Sequence, residues 1–305
     1  MSELKKSLDN FLLQLADERG LSENTIDAYR GDLSQYLEFV ERSNCRQWCD
    51  VTNVMVMNYL YSLKDRGLAP ATLARKAAAV RGLHRYLLRS GQTDNDPAYT
   101  LNHLTKASEK FPPAVLSLDQ MEQLLSAPDQ TSRTGKRDHA MLEVLYATGM
   151  RVSECIKLNR EHVNLEMEFV RCCGSRNHER VLPLNGQSVQ ALREYIGDRD
   201  QDPAKEAPDR PLFLNRLNKR LSRQGVWKIL KYYAVQAGIK DQFSPETIRQ
   251  SLTAHLFANG APIEFVDELM GRAPHASALR FPRSRRQPLK KIYMAYHPRA
   301  KKENE

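Results

Sequence analysis

The most informative part of this sequence is the stretch Ala147-Thr148-Gly149-Met150-Arg151-Val152-Ser153-Glu154-Cys155-Ile156-Lys157-Leu158. Its centre is an arginine that follows a glycine at the start of a helical turn. A guanidinium at such a glycine-bent helix start can donate two parallel hydrogen bonds to phosphate oxygens. The structural alternative is a buried Arg151 that pairs with Glu154. The stretch therefore predicts either an oxyanion ligand or one half of an internal ion pair.

This stretch resembles the first arginine box of the tyrosine recombinases of the Xer type. Further blocks are similar to the same family, and together they extend the resemblance over nearly the whole chain. These blocks are Leu21-Ser22-Glu23-Asn24-Thr25 with Ala28-Tyr29-Arg30 and Asp32-Leu33, then Arg220-Leu221-Ser222-Arg223-Gln224-Gly225-Val226, Ser244-Pro245-Glu246-Thr247-Ile248-Arg249-Gln250-Ser251, and His297-Pro298-Arg299-Ala300.

The resemblance implies a mainly α fold with a small β-sheet, arranged as a two-domain C-shaped clamp. Residues 1–92 would form a four-helix, SAM-like core-binding domain, residues 93–113 a linker, and residues 114–305 an α+β domain of the tyrosine-recombinase catalytic type. The expected partner is double-stranded DNA, bound as a homo-tetramer or as a hetero-tetramer with a related recombinase. No metal or cofactor is implied, because the family attacks DNA with a tyrosine and conserves the bond energy in a phosphotyrosyl link.

Apolar spacing by itself predicts four helices in the first domain. Leu4, Leu8, Phe11, Leu12 and Leu15 form one stripe that ends at Gly20. Ser22 is a good N-cap for the second helix, Thr52 for the third, and Pro70 suits the first turn of the fourth. The segment from Thr93 to Pro113 is polar and lacks apolar periodicity, so it is predicted to be a linker.

The fourth helix carries basic residues on a face separate from its apolar stripe. Arg81, Arg85 and Arg89 recur every four residues, and such a ridge suits the phosphate backbone of a duplex. A ridge that is merely solvated is the alternative where nothing else supports DNA binding. The residues expected to contact DNA are Thr25, Tyr29, Arg30, Arg75, Lys76, Arg81, Arg85, Arg176 and Arg223.

Three arginines fall on catalytic positions of the family and keep the ability to hold a phosphate. Arg151 lies in the first arginine box and Arg249 in the second, where together they can form an anion clamp. Arg272 stands at a later position that is commonly histidine or tryptophan, and it keeps both charge and hydrogen-bond donors.

Three other catalytic positions hold residues that cannot perform the family's chemistry. The lysine of a β-hairpin turn, predicted between the strands Phe169–Cys173 and Arg180–Leu184, is replaced by Ser175. A histidine position holds Glu246, whose carboxylate would repel a phosphodiester unless it pairs with Arg249. The nucleophile position holds Phe281, which has no hydroxyl to attack phosphorus.

A displaced nucleophile is the alternative. The segment Ile292-Tyr293-Met294-Ala295-Tyr296-His297 superficially resembles the tyrosine signature, so Tyr293 or Tyr296 could serve. However, aligning on the ending His297–Ala300 makes Leu289–Tyr296 the helix that follows the nucleophile, and this returns Phe281 to the nucleophile position. In the family that helix docks onto a neighbouring protomer.

Two stretches depart most from the family pattern, Cys172–His178 and Arg272–Pro288. One hypothesis is a compensated reading-frame slip in a decayed gene or a sequencing error. Reading the coding DNA in the other two frames should then recover a lysine turn and a tyrosine motif, and failure to recover them would dismiss the hypothesis. Glu246 has no such explanation, because its neighbours Ser244, Pro245 and Arg249 are in register.

Composition agrees with a DNA-binding protein. The net charge is +9 with a pI near 9.3, and ten Lys or Arg residues but no Asp or Glu lie between Arg272 and Lys302. A polyanionic partner is therefore favoured, although a solvated basic tail is the alternative. Five cysteines without paired spacing, and the lack of a leader or a long apolar run, favour a reduced, cytoplasmic setting without membrane insertion.

Three functions are compatible with these features of the sequence. The leading one is a site-specific DNA-binding member of the recombinase family with impaired strand cleavage. The second is an active recombinase with an unexpected tyrosine nucleophile, and the third is a helical interaction protein that does not bind DNA. The biological role is left open between chromosome-dimer resolution, which belongs to chromosome partition and the cell cycle, and integration of a mobile element.

Overall fold

The computed structural model describes residues 2–19, 23–101, 114–174, 179–200, 210–239, 243–271 and 289–300. The chain divides into two compact units, Met1–Phe111 and Pro112–Glu305. Among the described residues, none of the helices combines the length and the apolar character needed to cross a membrane.

The described part of the N-terminal unit contains four α-helices, as the apolar stripes predict. They are α1 (Glu3–Arg19), α2 (Glu23–Arg42), α3 (Asn53–Asp65) and α4 (Pro70–Arg89). The Thr52 side chain caps α3 by accepting a hydrogen bond from the Met55 amide, and Pro70 occupies the first turn of α4, so both predictions are confirmed. The predicted stop at Gly20 and cap at Ser22 lie outside the described residues.

The core of the N-terminal unit contains the predicted apolar residues together with a buried polar cluster. Leu4, Leu8, Phe11, Leu12 and Leu15 are all buried, which confirms the inward face of α1. A buried histidine, His84, is hydrogen-bonded through Nε2 to the Tyr36 hydroxyl at 2.8 Å. Burial lowers the pKa of His84 to about 4, so the imidazole is neutral near pH 7.

The first part of the predicted linker instead packs into the N-terminal unit. Ala98 and Leu101 are fully buried in its core. The side-chain amide of Asn53 holds the same segment by donating to the Pro97 carbonyl at 2.7 Å and to the Thr100 hydroxyl at 2.8 Å. The linker prediction was therefore wrong for residues 93–101, because two apolar residues three apart were hidden among polar ones.

The described part of the C-terminal unit is mainly α-helical with a small β-sheet, as predicted for this domain. Its helices are α5 (Leu118–Ser126), α6 (Arg133–Thr148), α7 (Val152–Lys157), α8 (Gly186–Asp200), α9 (Arg223–Gln236), α10 (Pro245–Ala258), α11 (Ile263–Met270) and α12 (Leu289–Tyr296). The strands are β1 (Val163–Asn164), β2 (Phe169–Cys173) and β3 (Glu179–Pro183). They form an antiparallel sheet in the order β1-β2-β3, with Val170 opposite Leu182 and Cys172 opposite Arg180.

Serine caps define several helix starts in the C-terminal unit. Ser117, Ser132 and Ser222 each accept a hydrogen bond from an amide in the first turn of α5, α6 and α9, respectively. Central helix α6 is buried over most of its length and packs extensively against α8. The turn that follows α6 and the first two turns of α10 carry the arginines of the candidate site.

The C-terminal helix α12 docks onto the core of the unit. Tyr293 is fully buried and stacks on the His297 ring, with the two ring centroids 4.6 Å apart. The guanidinium of Arg299 forms ion pairs with Glu143 and with Glu122. The ending His297–Ala300 therefore serves as an anchor for the last helix.

Candidate functional site

The site is centred on the turn between α6 and α7. Gly149 ends α6 in the left-handed conformation, with φ 58° and ψ 19°. A Cβ atom at this position would lie 2.7 Å from Cε of Met270, closer than van der Waals contact permits. The left-handed backbone conformation therefore favours glycine here, and a Cβ would in addition force the Met270 side chain to shift. The turn places Arg151 directly before the first residue of α7.

Arg151 combines a fixed main chain with a partly open side chain. Its backbone amide donates to Oε2 of Glu154 at 2.7 Å, and its Nη1 lies 3.4 Å from Oε1 of the same carboxylate. The Arg151 side chain is 44% exposed. Of the structural alternative, a buried Arg151 paired with Glu154, the pairing is therefore present but the burial is not, and the guanidinium remains accessible to solvent and to an anion.

Arg249 approaches the same turn from α10. It is buried, and its Nη1 donates to the Gly149 carbonyl while its Nη2 donates to the Met270 carbonyl at 2.6 Å. Burial, together with the charge of Arg151, lowers the pKa of Arg249 to about 10, so it remains protonated near pH 7. The fold thus brings together the arginines of the two boxes, which are about 100 residues apart in sequence.

Glu246 lies beside this arginine pair, in the first turn of α10. Its Oε1 is 3.5 Å from Nε of Arg249, and its side chain is 55% exposed. The carboxylate therefore offsets part of the positive charge of Arg249. Of the two outcomes that the sequence allows, the pairing with Arg249 is therefore the one present, although the partly exposed carboxylate still places negative charge beside the two arginines.

Sequence reasoning missed a third arginine, Arg180. It lies on β3, where its Nη2 donates to Oε2 of Glu154 at 2.8 Å. The side chain is only 17% exposed and covers Gly271 so closely that a Cβ there would be 2.0 Å from Nη1. The missed signal was strand alternation, because Arg180 shares the inward face of β3 with the buried Leu182.

Ser175, Arg176, Arg272 and Phe281 lie outside the described residues. Their roles stay predictions from the resemblance. Within the described part of the chain, no three His, Cys, Asp or Glu side chains come together as a group that could bind a metal.

The two alternative nucleophiles lie on α12. Tyr293 is fully buried, and burial raises the pKa of its phenol well above the ordinary value. Tyr296 is half-buried, and its main-chain carbonyl accepts a hydrogen bond from the Asn259 side chain at 2.9 Å. With α12 docked in this way, the Tyr293 hydroxyl is not accessible to a phosphodiester.

The N-terminal unit contains a basic cleft between α1, α2 and α4. Its volume is about 430 Å³, and Tyr29, Arg81 and Arg85 contribute to its lining. The other lining residues are Phe11, Gln14, Leu15, Thr25, Ala78, Gly82, Tyr86, Arg89 and Ser90. The fold thus gathers four of the predicted DNA contacts, Thr25, Tyr29, Arg81 and Arg85, around one concave surface.

Three other predicted DNA contacts of this unit lie in different surroundings. Lys76 is buried, and its ammonium donates to Asp32 Oδ1 at 2.9 Å and to Gln35 Oε1 at 2.8 Å. Its assignment as a surface phosphate contact is therefore corrected, because the charge is neutralised inside the unit. Arg75 is exposed but also pairs with Asp32, and the exposed Arg30 pairs with Asp27.

Arg223 begins helix α9 in the C-terminal unit and is exposed. Two further residues extend the same face at intervals of four. Trp227 is 44% exposed, and the Lys231 ammonium lies 5.0 Å from the centre of its ring. A basic face that includes an exposed aromatic ring suits contact with nucleic acid.

Comparison with known proteins covers both units. The model of the phage integrase family matches residues 114–284, and the model of the phage integrase N-terminal SAM-like domain matches residues 8–91. The chain is 38% identical to tyrosine recombinase XerD of Oceanobacillus iheyensis, over 97% of this chain and 100% of that protein. It is 40% identical to tyrosine recombinase XerC of Roseiflexus sp., over 88% of this chain and 86% of that protein.

Solved structures share the fold at lower identity. The Tn1549 transposon integrase, solved in complex with circular intermediate DNA, is similar with a TM-score of 0.71 and 15% identity, over 90% of this chain and 94% of that one. A lambda integrase tetramer bound to a Holliday junction is similar with a TM-score of 0.65 and 15% identity, over 92% and 79% of the two chains.

Proposed function

Because the chain belongs to the phage integrase family and is a tyrosine recombinase of the Xer type, we propose that it binds duplex DNA at a specific site but is impaired in strand cleavage and rejoining. The observation that carries the proposal is the convergence of Arg151 and Arg249 on the Gly149 turn. One guanidinium is fixed by two carbonyls and the other is open to solvent, an arrangement suited to holding a phosphate.

The impairment follows from the residues at the other catalytic positions. Phe281 cannot form a phosphotyrosyl bond, and Ser175 is a poor acid for the leaving 5′ oxygen. Loss of a single donor to the transition state typically lowers the rate by about 10² to 10³. Loss of the nucleophile removes the covalent route altogether, so Phe281 is the decisive substitution.

DNA binding is assigned to the basic cleft of the N-terminal unit and to the start of α9. Arg81 and Arg85 would contact backbone phosphates, and Tyr29 would add an aromatic surface beside them. Arg223 would contribute from the C-terminal unit. Backbone contacts of this kind release counterions, so binding should weaken steeply as salt rises.

Selection from a randomised duplex library, followed by fluorescence anisotropy on the enriched duplex, tests the DNA binding. We expect Arg81→Ala and Arg85→Ala each to weaken binding and to reduce the salt slope by about 1. The matched control is Arg42→Ala, since this exposed arginine of α2 lies about 20 Å along the helix from Tyr29. Failure to enrich any duplex, or binding that does not respond to salt, would refute the proposal.

A nicked suicide duplex tests the impairment. At saturating protein we expect no covalent protein–DNA adduct on a denaturing gel. An adduct that disappears in Tyr293→Phe or Tyr296→Phe would instead establish the alternative function, an active recombinase with a displaced nucleophile. The burial of Tyr293 counts against that alternative, because α12 would have to leave the core before the hydroxyl could react.

We further propose that the DNA-bound form is a tetramer, built from copies of this chain or together with a related recombinase. Lambda integrase, which has a similar fold, has been solved as a tetramer bound to a Holliday junction. Native mass spectrometry on the enriched duplex should show two protomers on one site and four on a synapsed pair. A single protomer per duplex at saturation would contradict this assembly.

A further inference from the structure

A second cationic site lies at the beginning of α6. It is a cavity of about 200 Å³ between the first turns of α6, the C-terminal part of α8 and the turn at residues 214–218. We call it the arginine cavity. Its lining residues are Arg133, Thr134, Arg137, Tyr195, Arg199, Leu214, Asn215, Arg216 and Asn218. None of them belongs to the Arg151–Arg249 site.

Two of its arginines are built into the protein. Arg137 and Arg199 are each more than nine-tenths buried. Nη1 of Arg137 donates to the Leu214 carbonyl at 2.8 Å, and Nη1 of Arg199 donates to the carbonyls of Pro211 at 2.6 Å and Leu212 at 2.7 Å. These carbonyls fix both guanidinium groups in the inner wall, so little conformational entropy would be lost when a ligand binds.

The charge of the lining has one sign. Four guanidinium groups surround the cavity, with the exposed Arg133 and Arg216 at its mouth, whereas no carboxylate appears among the lining residues that the structure describes. The nearby Asp138 pairs with Arg137 and accepts a hydrogen bond from the Tyr233 hydroxyl.

The helix start adds further donors. The Ser132 side chain accepts a hydrogen bond from the Gly135 amide. The backbone amides of Arg133 and Thr134 lie in the first turn and have no acceptor within their own helix. The dipole of a helix of 16 residues also favours negative charge at its first turn.

We propose that the arginine cavity binds a phosphate group. The forked guanidinium matches the geometry of phosphate oxygens, and several arginines around one cavity favour a dianion over a single carboxylate. The volume accommodates inorganic phosphate, pyrophosphate or the phosphate end of a larger molecule. The ligand phosphate is either free or part of the DNA backbone, and the two sources are separable by experiment.

The first experiment measures binding of inorganic phosphate and of pyrophosphate to the full chain at low ionic strength, by calorimetry and by the shift in Tm. We expect the double variant Arg133→Ala/Arg216→Ala to bind at least tenfold more weakly, since charge-assisted hydrogen bonds are removed. Both residues are exposed, so the variant should fold normally. Arg193→Ala, an exposed arginine of α8 outside the cavity lining, is the matched control and should bind like the parent chain.

The second experiment identifies the source of the phosphate. If the ligand is free phosphate, the double variant keeps the duplex affinity and the salt slope of the parent. If the ligand is backbone phosphate, the duplex affinity and the salt slope both fall. The proposal is overturned if the parent chain binds neither phosphate nor pyrophosphate, if Arg193→Ala causes an equal loss, or if Arg151→Ala alone abolishes binding.

Discussion

Replacement of Arg180 by methionine tests how Glu154 organises the candidate site. The Glu154 carboxylate is buried and has three contacts: the Arg151 amide at 2.7 Å, Nη2 of Arg180 at 2.8 Å and Nη1 of Arg151 at 3.4 Å. Methionine retains much of the apolar stem of Arg180 but removes its charge and its donors. The variant therefore isolates one of the three contacts.

The expected loss follows from what remains. A carboxylate left buried without any partner costs about 3 to 5 kcal/mol. Glu154 keeps both contacts with Arg151, so the loss should be close to that of one charge-assisted hydrogen bond, about 2 kcal/mol. Glu154→Gln keeps an acceptor for the Arg151 amide but deprives Arg180 of its counter-charge, with a similar expected loss.

Native-state hydrogen exchange tests this prediction, because it measures the free energy of local opening without assuming that a chain of two units unfolds in a two-state manner. Peptides from α6 report the free energy of opening of the C-terminal unit, and peptides from α2 are an internal control that should not change. Because Arg180→Met and Glu154→Gln remove the same interaction, the double variant should lose about 2 to 3 kcal/mol rather than about 4. Strict additivity, with a coupling below about 0.5 kcal/mol, would refute the argument.

Three further predictions concern single residues. Gly149→Ala should lower the free energy of opening of the C-terminal unit, measured by hydrogen exchange in α6 peptides, by about 2 to 4 kcal/mol, because a left-handed φ and an overlap with Met270 act together. Gly197→Ala, in open space on a helix, should be neutral or slightly stabilising in the same measurement. Glu246→Gln should tighten duplex binding about threefold to fivefold in anisotropy titrations, a small gain because the carboxylate is exposed; unchanged or weaker binding would show that this carboxylate does not oppose DNA binding. His84 has a folded-state pKa of about 4, below its ordinary value near 6.5, so its contribution to stability is complete above pH 6.5 and is lost as the pH falls towards 4. Between pH 7 and 4.5, His84→Gln should therefore lose about 2 to 3 kcal/mol less stability than the parent chain, and equal losses in the two proteins would show that another group controls the acid response.

The secondary structure was largely predictable because apolar residues recur with a clear helical or strand period and because capping residues mark the helix starts. Thr52 and Pro70 mark helix starts, and the second strand, Phe169–Cys173, has the predicted bounds. The segment with Ala98 and Leu101 was not predictable in the same way. Two apolar residues within a polar stretch carry too little periodicity to reveal that tertiary packing buries them.

Site residues that belong to a recognisable motif could be predicted from the sequence. Basic residues whose charge is neutralised by a partner distant in sequence could not. Arg151 and Arg249 were found from their boxes. Lys76 was misassigned because a basic residue in a basic helix suggests exposure, whereas Asp32 binds it inside the unit. Arg180 was overlooked because its partner Glu154 is 26 residues away, and only the strand pairing brings the two together.

The double anchoring of Arg249 bears on how such a protein can lose its chemistry. Removal of that guanidinium would leave the carbonyls of Gly149 and Met270 without these donors inside the core, at a cost of about 1 to 3 kcal/mol each. An exposed residue at the edge of the site, such as the one at position 246, can therefore be replaced during evolution with little effect on folding. Arg249 is harder to replace, because selection against misfolding alone would retain it. Phosphate binding at this site would then persist after the ability to cleave a DNA strand has been lost.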